Sequence, residues 1–467
     1  MGVSSPTELW SLGAGALAAV IKARQASSRE VVTAHLDRIE LINPELNAVT
    51  RVLADSALEA ADEADRRLAS GSQLGRLHGV PISVKENIDV VGSPTTHGVV
   101  ALANAYPPAD AVQVASLRAA GAIVLARTNL PEFALRWHTD NDLYGATKNP
   151  WNPALTPGGS SGGEAVALAT GMTPLGLGND DGGSLRHPPQ CTGVAAIKPS
   201  LGRVPRTVAN PSSESPISHQ LLNAEGPMAR HIEDLRLALE IMTEPTWLDP
   251  WQVPLSLIGN EVDRPIKVAL VSLRNASVQV SEGVLKAARQ LEDAGYVIEE
   301  AEPPSVADAA EAWNQMNAWD ALLTWGDVSP QLSADARLQM ELMFELIGSV
   351  SAAEYRQTYI RRLAIAREWA RFQQRYPLVL GPVSTEPPFP VGSDLKPSGL
   401  EAIIRSMALL VTVNLIGLPA AVVPVGMGAG LPQVVQLIGG RYREDLCLDA
   451  AAAIEARTPL LTPIGPA

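Results

Sequence analysis

Cysteine and histidine are scarce in this chain, and each shortage narrows the chemistry open to it. Only Cys191 and Cys447 occur among 467 residues, too few for a disulfide framework and in keeping with a reducing, cytoplasmic compartment. Cys191 reads as a small packed core thiol rather than a nucleophile. The seven histidines all lie at or before His231; they are too scattered, and no Cys/His spacing accompanies them, for a zinc site. Neither metal nor cofactor is expected. Positive charge is also short: 36 Lys and Arg against 50 Asp and Glu leave a formal net charge of −14. That balance argues against a nucleic-acid surface and against electrostatic recruitment to anionic lipid, and it favours solubility. Long unbroken apolar runs are missing as well. The most apolar stretch, Met407 to Gly426, is interrupted by Asn414, Pro419 and Pro424, so a buried helix and strand is expected instead of a membrane span. Residues Met1 to Thr7 hold no basic segment followed by an apolar core, so no signal peptide is expected, and Pro6 stands where a myristoylation motif has Ser or Thr.

What is present is concentrated between Thr156 and Pro205. Two glycine-flanked serine sites lie there, Gly158-Gly159-Ser160-Ser161-Gly162-Gly163 and Asp181-Gly182-Gly183-Ser184, separated by an apolar segment that reads as a helix and a short strand. Glycine on either side of a serine lets the backbone approach a ligand closely, so the hydroxyl can stand at a pocket floor. Successive N–H groups at a Gly-Gly-Ser turn can converge on one oxygen, as an oxyanion hole requires. A flexible Ser/Gly linker does not fit, because linkers are not spaced by periodic apolar sequence.

Three blocks resemble the amidase signature family of serine hydrolases. They are the Gly158–Gly163 loop, the run Gly178-Asn179-Asp180-Asp181-Gly182-Gly183-Ser184-Leu185-Arg186, and Gly79-Val80-Pro81-Ile82-Ser83-Val84-Lys85-Glu86-Asn87. Their order and their spacing, 24 residues between the two serines and 75 between Lys85 and Ser160, also match. The resemblance implies a Ser-Ser-Lys triad made of Ser184 as nucleophile, Ser160 as relay after a cis peptide bond, and Lys85 as base. It further implies an oxyanion hole from the N–H groups of Asp181, Gly182, Gly183 and Ser184, with Ser161 supporting the relay. Asp180 and Arg186 either brace the loop or touch substrate. A solvated lysine cannot serve as base; burial lowers its pKa, so Lys85 is expected beneath the serine loops as a neutral amine. Asp181 departs from the family pattern. Its side chain is left with three readings: to disfavour anionic substrates, to raise the lysine pKa slightly, or to point to solvent. Arg136-Trp137-His138 and the Ser/Pro-rich loop Asn210–Ser218 are expected near the mouth of the site.

In chain order, residues 7–24, 28–43 and 52–70 read as helices, the second opened by a Ser27-x-x-Glu30 capping box. Val80–Val84 reads as a strand delivering Lys85, Asp110–Ala120 as a helix and Ala122–Leu125 as a strand. This βαβ-like order points to an α/β fold, and the resemblance implies a mixed sheet flanked by helices on both faces. Residues 244–265 read as a proline-rich connection, Ile266–Val271 as a strand, Glu282–Ala294 as a helix and 305–375 as mostly helical. A single domain over 1–467 is expected, with 1–243 and 377–467 family-like and 244–376 a divergent, substrate-side region.

The run Gly158-x-Ser160-x-Gly162 also fits the nucleophile elbow of α/β-hydrolases, but that fold needs a histidine late in the chain and none follows His231. The expected activity is hydrolysis of neutral apolar or aryl amides through a Ser184 acyl-enzyme, with ester and carbamate (urethane) cleavage as a secondary capacity. The substrate is then a small amide or carbamate, with no nucleic-acid or membrane partner, and the enzyme a monomer or homodimer. The amidase subunit of a tRNA-dependent amidotransferase is the alternative.

Overall fold

The computed structural model describes residues 6–207, 214–459 and 461. Met1 to Ser5 and the first four residues of the Asn210–Ser218 loop, 210–213, therefore lie outside the described residues. The strands are β1 (Val49–Val52), β2 (Pro81–Lys85), β3 (Ile123–Thr128), β4 (Leu175–Asp180), β5 (Ala195–Lys198), β6 (Ala224–Ala229), β7 (Lys267–Leu270), β8 (Val297–Glu300), β9 (Leu378–Pro382), β10 (Ala420–Gly428) and β11 (Leu431–Gly439). They form one 11-stranded sheet in the order β1-β3-β2-β4-β6-β5-β10-β11-β9-β7-β8. Strands β3, β2 and β4 run parallel, as do β8, β7 and β9, while the strands between them pair antiparallel. The sheet is mixed, and the chain is α/β.

Side-chain alternation shows that both faces are buried. On β10, Ala421, Val423 and Val425 join one apolar core while Ala420 and Val422 join the other. On β11, Val435 and Leu437 side with the first, and Val434 and Ile438 with the second. A strand whose neighbours point to opposite sides yet are all apolar must be covered by helices on both faces. The run Met407–Gly426 accordingly forms the helix Ala408–Ile416 and the start of β10. No single helix among the described residues is long and apolar enough to cross a membrane.

Several boundaries differ from the sequence expectation, each for a local reason. The helix expected over 7–24 is broken: a 3-10 turn, Pro6–Ser11, precedes a helix over Ala14–Lys22. Gly13 is extended between them, and the Asp234 carboxylate accepts the Ala14 and Gly15 N–H groups at 2.8 Å each, restarting the helix from a residue far along the chain. The capping box forms as read, but its helix runs on to Leu46 and ends on a left-handed Asn47. The third helix starts only at Ala54, because Val49–Val52 pairs with β3. The helix expected from Glu282 begins at Val278, capped by Ser277. The 305–375 stretch is three helices, Val306–Val328, Ala334–Ile347 and Ala352–Arg375, the last two capped by Ser333 and Ser351. Residues 244–376 also contribute β7 and β8 to the common sheet.

Candidate active site

Strands β2 and β4 are parallel, and their C-terminal ends lie side by side, the place where parallel sheets hold reactive groups. Lys85 is the last residue of β2, Asn179 and Asp180 end β4, and Ser184 sits on the turn that follows. Ser160 and Ser161 precede the fully buried helix Gly162–Ala169. The Gly159–Ser160 peptide is cis. Gly159 has no room for a side chain, since a Cβ there would lie 2.5 Å from the Arg136 carbonyl oxygen.

These turns bring three side chains into a row. Lys85 Nζ donates to Ser160 Oγ at 2.7 Å, and Ser160 Oγ donates to Ser184 Oγ at 2.9 Å. Exposure rises along the row from 0% at Lys85 through 1% at Ser160 to 8% at Ser184; both serines line the cavity, and Lys85 lies beneath them. Burial pushes the Lys85 amine down to about 7, against the pull of the Glu225, Asp180 and Glu164 carboxylates, which favour its charged form. A group near 7 can take and return a proton at neutral pH. Lys85 Nζ also donates to Asn179 Oδ1 at 2.8 Å, and Asn179 Nδ2 donates to Asn87 Oδ1 at 3.1 Å. Beneath the row, burial raises Glu164 to about 7 although Ser83 and Thr128 hydroxyls donate to it. Arg127 grips the Lys85 and Ile88 carbonyls at 3.1 and 2.6 Å, fixing the backbone that carries the amine.

Asp180 and Arg186 brace the loop. The carboxylate accepts from the N–H groups of Gly183 and Leu185 at 2.7 and 3.0 Å, from both forks of Arg186, and from Asn414 Nδ2 at 2.8 Å. Burial alone would raise this carboxyl, but the Arg186 guanidinium outweighs it and holds the group down to about 2. Arg186 also donates to the Leu410 carbonyl, Gln436 and Asn414, which ties the loop to the C-terminal quarter of the chain. Both residues are fully buried; neither lines the cavity.

Three expectations need correction. The Gly183 N–H is already donated to Asp180 Oδ1, so of the four amides expected to form an oxyanion hole only those of Asp181, Gly182 and Ser184 have no acceptor among the described residues. Ser161 does not support the relay through its hydroxyl, because buried Ser161 Oγ makes no hydrogen bond among the described residues. Asp181 neither points to open solvent nor belongs to the carboxylates acting on Lys85; its Oδ2 lies 2.7 Å from His219 Nδ1 on the cavity wall. Two indoles of the cavity wall hold this loop, a role that no local sequence signal announces. Trp313 Nε1 donates to the Asp181 carbonyl at 3.0 Å and Trp137 Nε1 to the Gly182 carbonyl at 2.8 Å, with the two rings stacked 6.1 Å apart. A Cβ on Gly182 would meet Trp313 at 2.4 Å, which is why glycine stands there.

The row of hydroxyls opens into a cavity of about 900 Å³ whose walls include Trp137, Trp313, Trp325, Phe133, Phe344 and Met343. Arg136 and Trp137 line it as expected, but His138 does not; it is buried against Thr156 Oγ1. No group of three His, Cys, Asp or Glu side chains among the described residues is arranged to hold a metal ion.

Comparison with known proteins identifies the family. The family model described as Amidase matches residues 30–448. An indoleacetamide hydrolase of Bradyrhizobium diazoefficiens is 41% identical over 459 residues, covering 97% of this chain and 88% of that protein. A glutamyl-tRNA(Gln) amidotransferase subunit from Alkaliphilus metalliredigens is 30% identical over 469 residues, covering 92% of this chain and 93% of that protein. Among solved structures, a bacterial aryl acylamidase of the amidase signature family matches with a TM-score of 0.83 at 26% identity, over 97% of this chain and 96% of that one. A family model spanning nine-tenths of the sequence and a relative above two-fifths identity place this chain in the amidase signature family, as an enzyme that hydrolyses amide C–N bonds.

Proposed function

We propose that Lys85, Ser160 and Ser184 are the catalytic groups and that the substrate is a small neutral amide with an aromatic acyl group, of which indoleacetamide is the first to test. The observation that carries this reading is the buried hydrogen-bonded row from Lys85 to Ser184, at 2.7 and 2.9 Å, ending at an aromatic-walled cavity. With the amine neutral, one of its hydrogens goes to Asn179 Oδ1 and its lone pair turns to Ser160. Ser184 then gives its proton to Ser160 Oγ as Ser160 passes its own to Lys85, and Ser184 Oγ attacks the carbonyl carbon. The negative charge on the carbonyl oxygen is met by the N–H groups of Asp181, Gly182 and Ser184. Collapse breaks the C–N bond, the lysine proton returns through Ser160 to the departing nitrogen, and water repeats the sequence on the acyl-enzyme.

The same groups suit ester and carbamate carbonyls. We read the chain as one catalytic unit in which residues 244–376 form the substrate side, since the helices Val306–Val328 and Ala334–Ile347 supply Trp313, Asn317, Trp325, Met343 and Phe344 to the cavity wall. Identity with a glutamyl-tRNA(Gln) amidotransferase component keeps a second reading, a protein working inside a complex. The purified chain and its Ser184→Ala variant, assayed on indoleacetamide, an anilide, an ester, a carbamate and glutamine, separate the two. Cleavage of aromatic amides by the wild type alone, abolished in the variant, supports the hydrolase. Inactivity on every aromatic substrate, or activity on glutamine only within a complex, overturns it.

A further inference from the structure

The reaction just described makes no use of the Asp181 and His219 side chains, which pair on the cavity wall. Asp181 Oδ2 lies 2.7 Å from His219 Nδ1, and both residues line the cavity. An ionised carboxylate can only accept, so Nδ1 carries the hydrogen and donates it. That fixes the tautomer: in the neutral ring Nε2 holds a lone pair and no hydrogen. Nε2 makes no hydrogen bond to any described residue. The helix Ile217–Leu222 has other ties besides this pair. Ser218 N–H already donates to Asp320 Oδ2 at 3.0 Å, and the Leu221 carbonyl accepts from Arg362 at 3.4 Å. Asp181 itself is fixed through its backbone, its carbonyl held by Trp313 Nε1, so the carboxylate projects from a braced turn three residues before Ser184. Trp137, Trp313, Trp325 and Phe344 offer faces against which a flat ring can stack, but apolar faces do not read what lies on the ring's edge. An oriented acceptor does.

We propose that the Asp181–His219 pair is a recognition subsite that selects aromatic acyl groups bearing a ring N–H or O–H, which His219 Nε2 accepts. The inference deepens the aromatic-amide reading and rests on it. The His219 side chain is 38% exposed, so water competes for Nε2, and the selectivity expected is about tenfold rather than the far larger factors of a fully buried pair.

Binding to the Ser184→Ala protein tests this without turnover. Calorimetry compares indole-3-acetamide with 1-naphthaleneacetamide, a bicyclic ring lacking the donor, and with 1-methylindole-3-acetamide, where a methyl replaces it. The N–H ligand is expected to bind about tenfold more tightly than either. Adding His219→Phe brings the naphthalene and indole ligands within about twofold of each other. Asp181→Asn, which no longer fixes the tautomer, lowers the preference partway and serves if the phenylalanine variant does not fold. Equal binding of the ligands to the Ser184→Ala protein, or a preference that survives both substitutions, overturns the subsite. Hydrolysis by the wild type is read separately. Cleavage of both amides with equal binding removes the subsite and leaves the reaction, whereas discrimination in binding without cleavage supports the subsite and removes the reaction.

Discussion

Replacing Lys85 with methionine should make the protein more stable at neutral pH while sharply lowering its activity. Lowering the amine from its ordinary 10.5 to about 7 means that the folded state disfavours the charged form by roughly 5 kcal/mol, at about 1.4 kcal/mol per pH unit. Hydrogen bonds to Ser160 and Asn179 offset part of this, at about 1 to 1.5 kcal/mol each. An unbranched apolar chain of similar length then gains roughly 2 kcal/mol at pH 7. The pH dependence gives the sharper reading. Between pH 7 and 10.5 the unfolded chain holds the lysine charged and the folded chain holds it neutral, so unfolding takes up a proton and wild-type stability rises with pH. Methionine has no such dependence, so the variant's advantage should shrink by up to about 1.4 kcal/mol per pH unit and reverse in the alkaline range. Urea unfolding of both proteins at pH 7, 8 and 9 measures the difference, in which all other titrating groups cancel. Parallel stability curves would refute the buried neutral amine. The kcat/KM of the wild type should climb through a pKa near 7 and level off above it, and the variant should lose about 10²- to 10⁴-fold.

Two further substitutions probe the turn that carries Ser184. Trp313→Phe keeps the ring but removes the donor to the Asp181 carbonyl; kcat should fall about tenfold with KM little changed, because an oxyanion site acts on the transition state. A raised KM at constant kcat would contradict that assignment. Arg186→Lys retains the charge but not the fork that serves Asp180, Asn414, Gln436 and the Leu410 carbonyl. Stability should drop by about 3 kcal/mol, read as a lower urea midpoint, and an unchanged midpoint would show that the network is dispensable.

The α/β class, the strand that ends in Lys85 and the two serine turns were legible because each is written locally, in apolar runs and glycine-flanked hydroxyls. Interruptions caused by distant partners were not. Nothing near Gly13 announces that Asp234 will cap the helix after it, and Val49–Val52 becomes a strand only because β3 lies beside it. The same limit applies within the site. Asn179 was inside a recognised run but carried no sign that its carbonyl would orient the amine, and Trp313 lies 132 residues from the carbonyl it holds. The Gly183 amide illustrates the converse: its place in the motif suggested an anion donor, and only the folded position of Asp180 shows that it is already used.

The distribution of indole rings has a practical consequence. Of nine tryptophans in the chain, Trp137, Trp313 and Trp325 face the one cavity that holds Ser184. Their emission is sensitive to the polarity and quenching power of whatever lies against them, so the protein carries an intrinsic fluorescent reporter of occupancy. Ligands can therefore be ranked by titration with no label and no turnover.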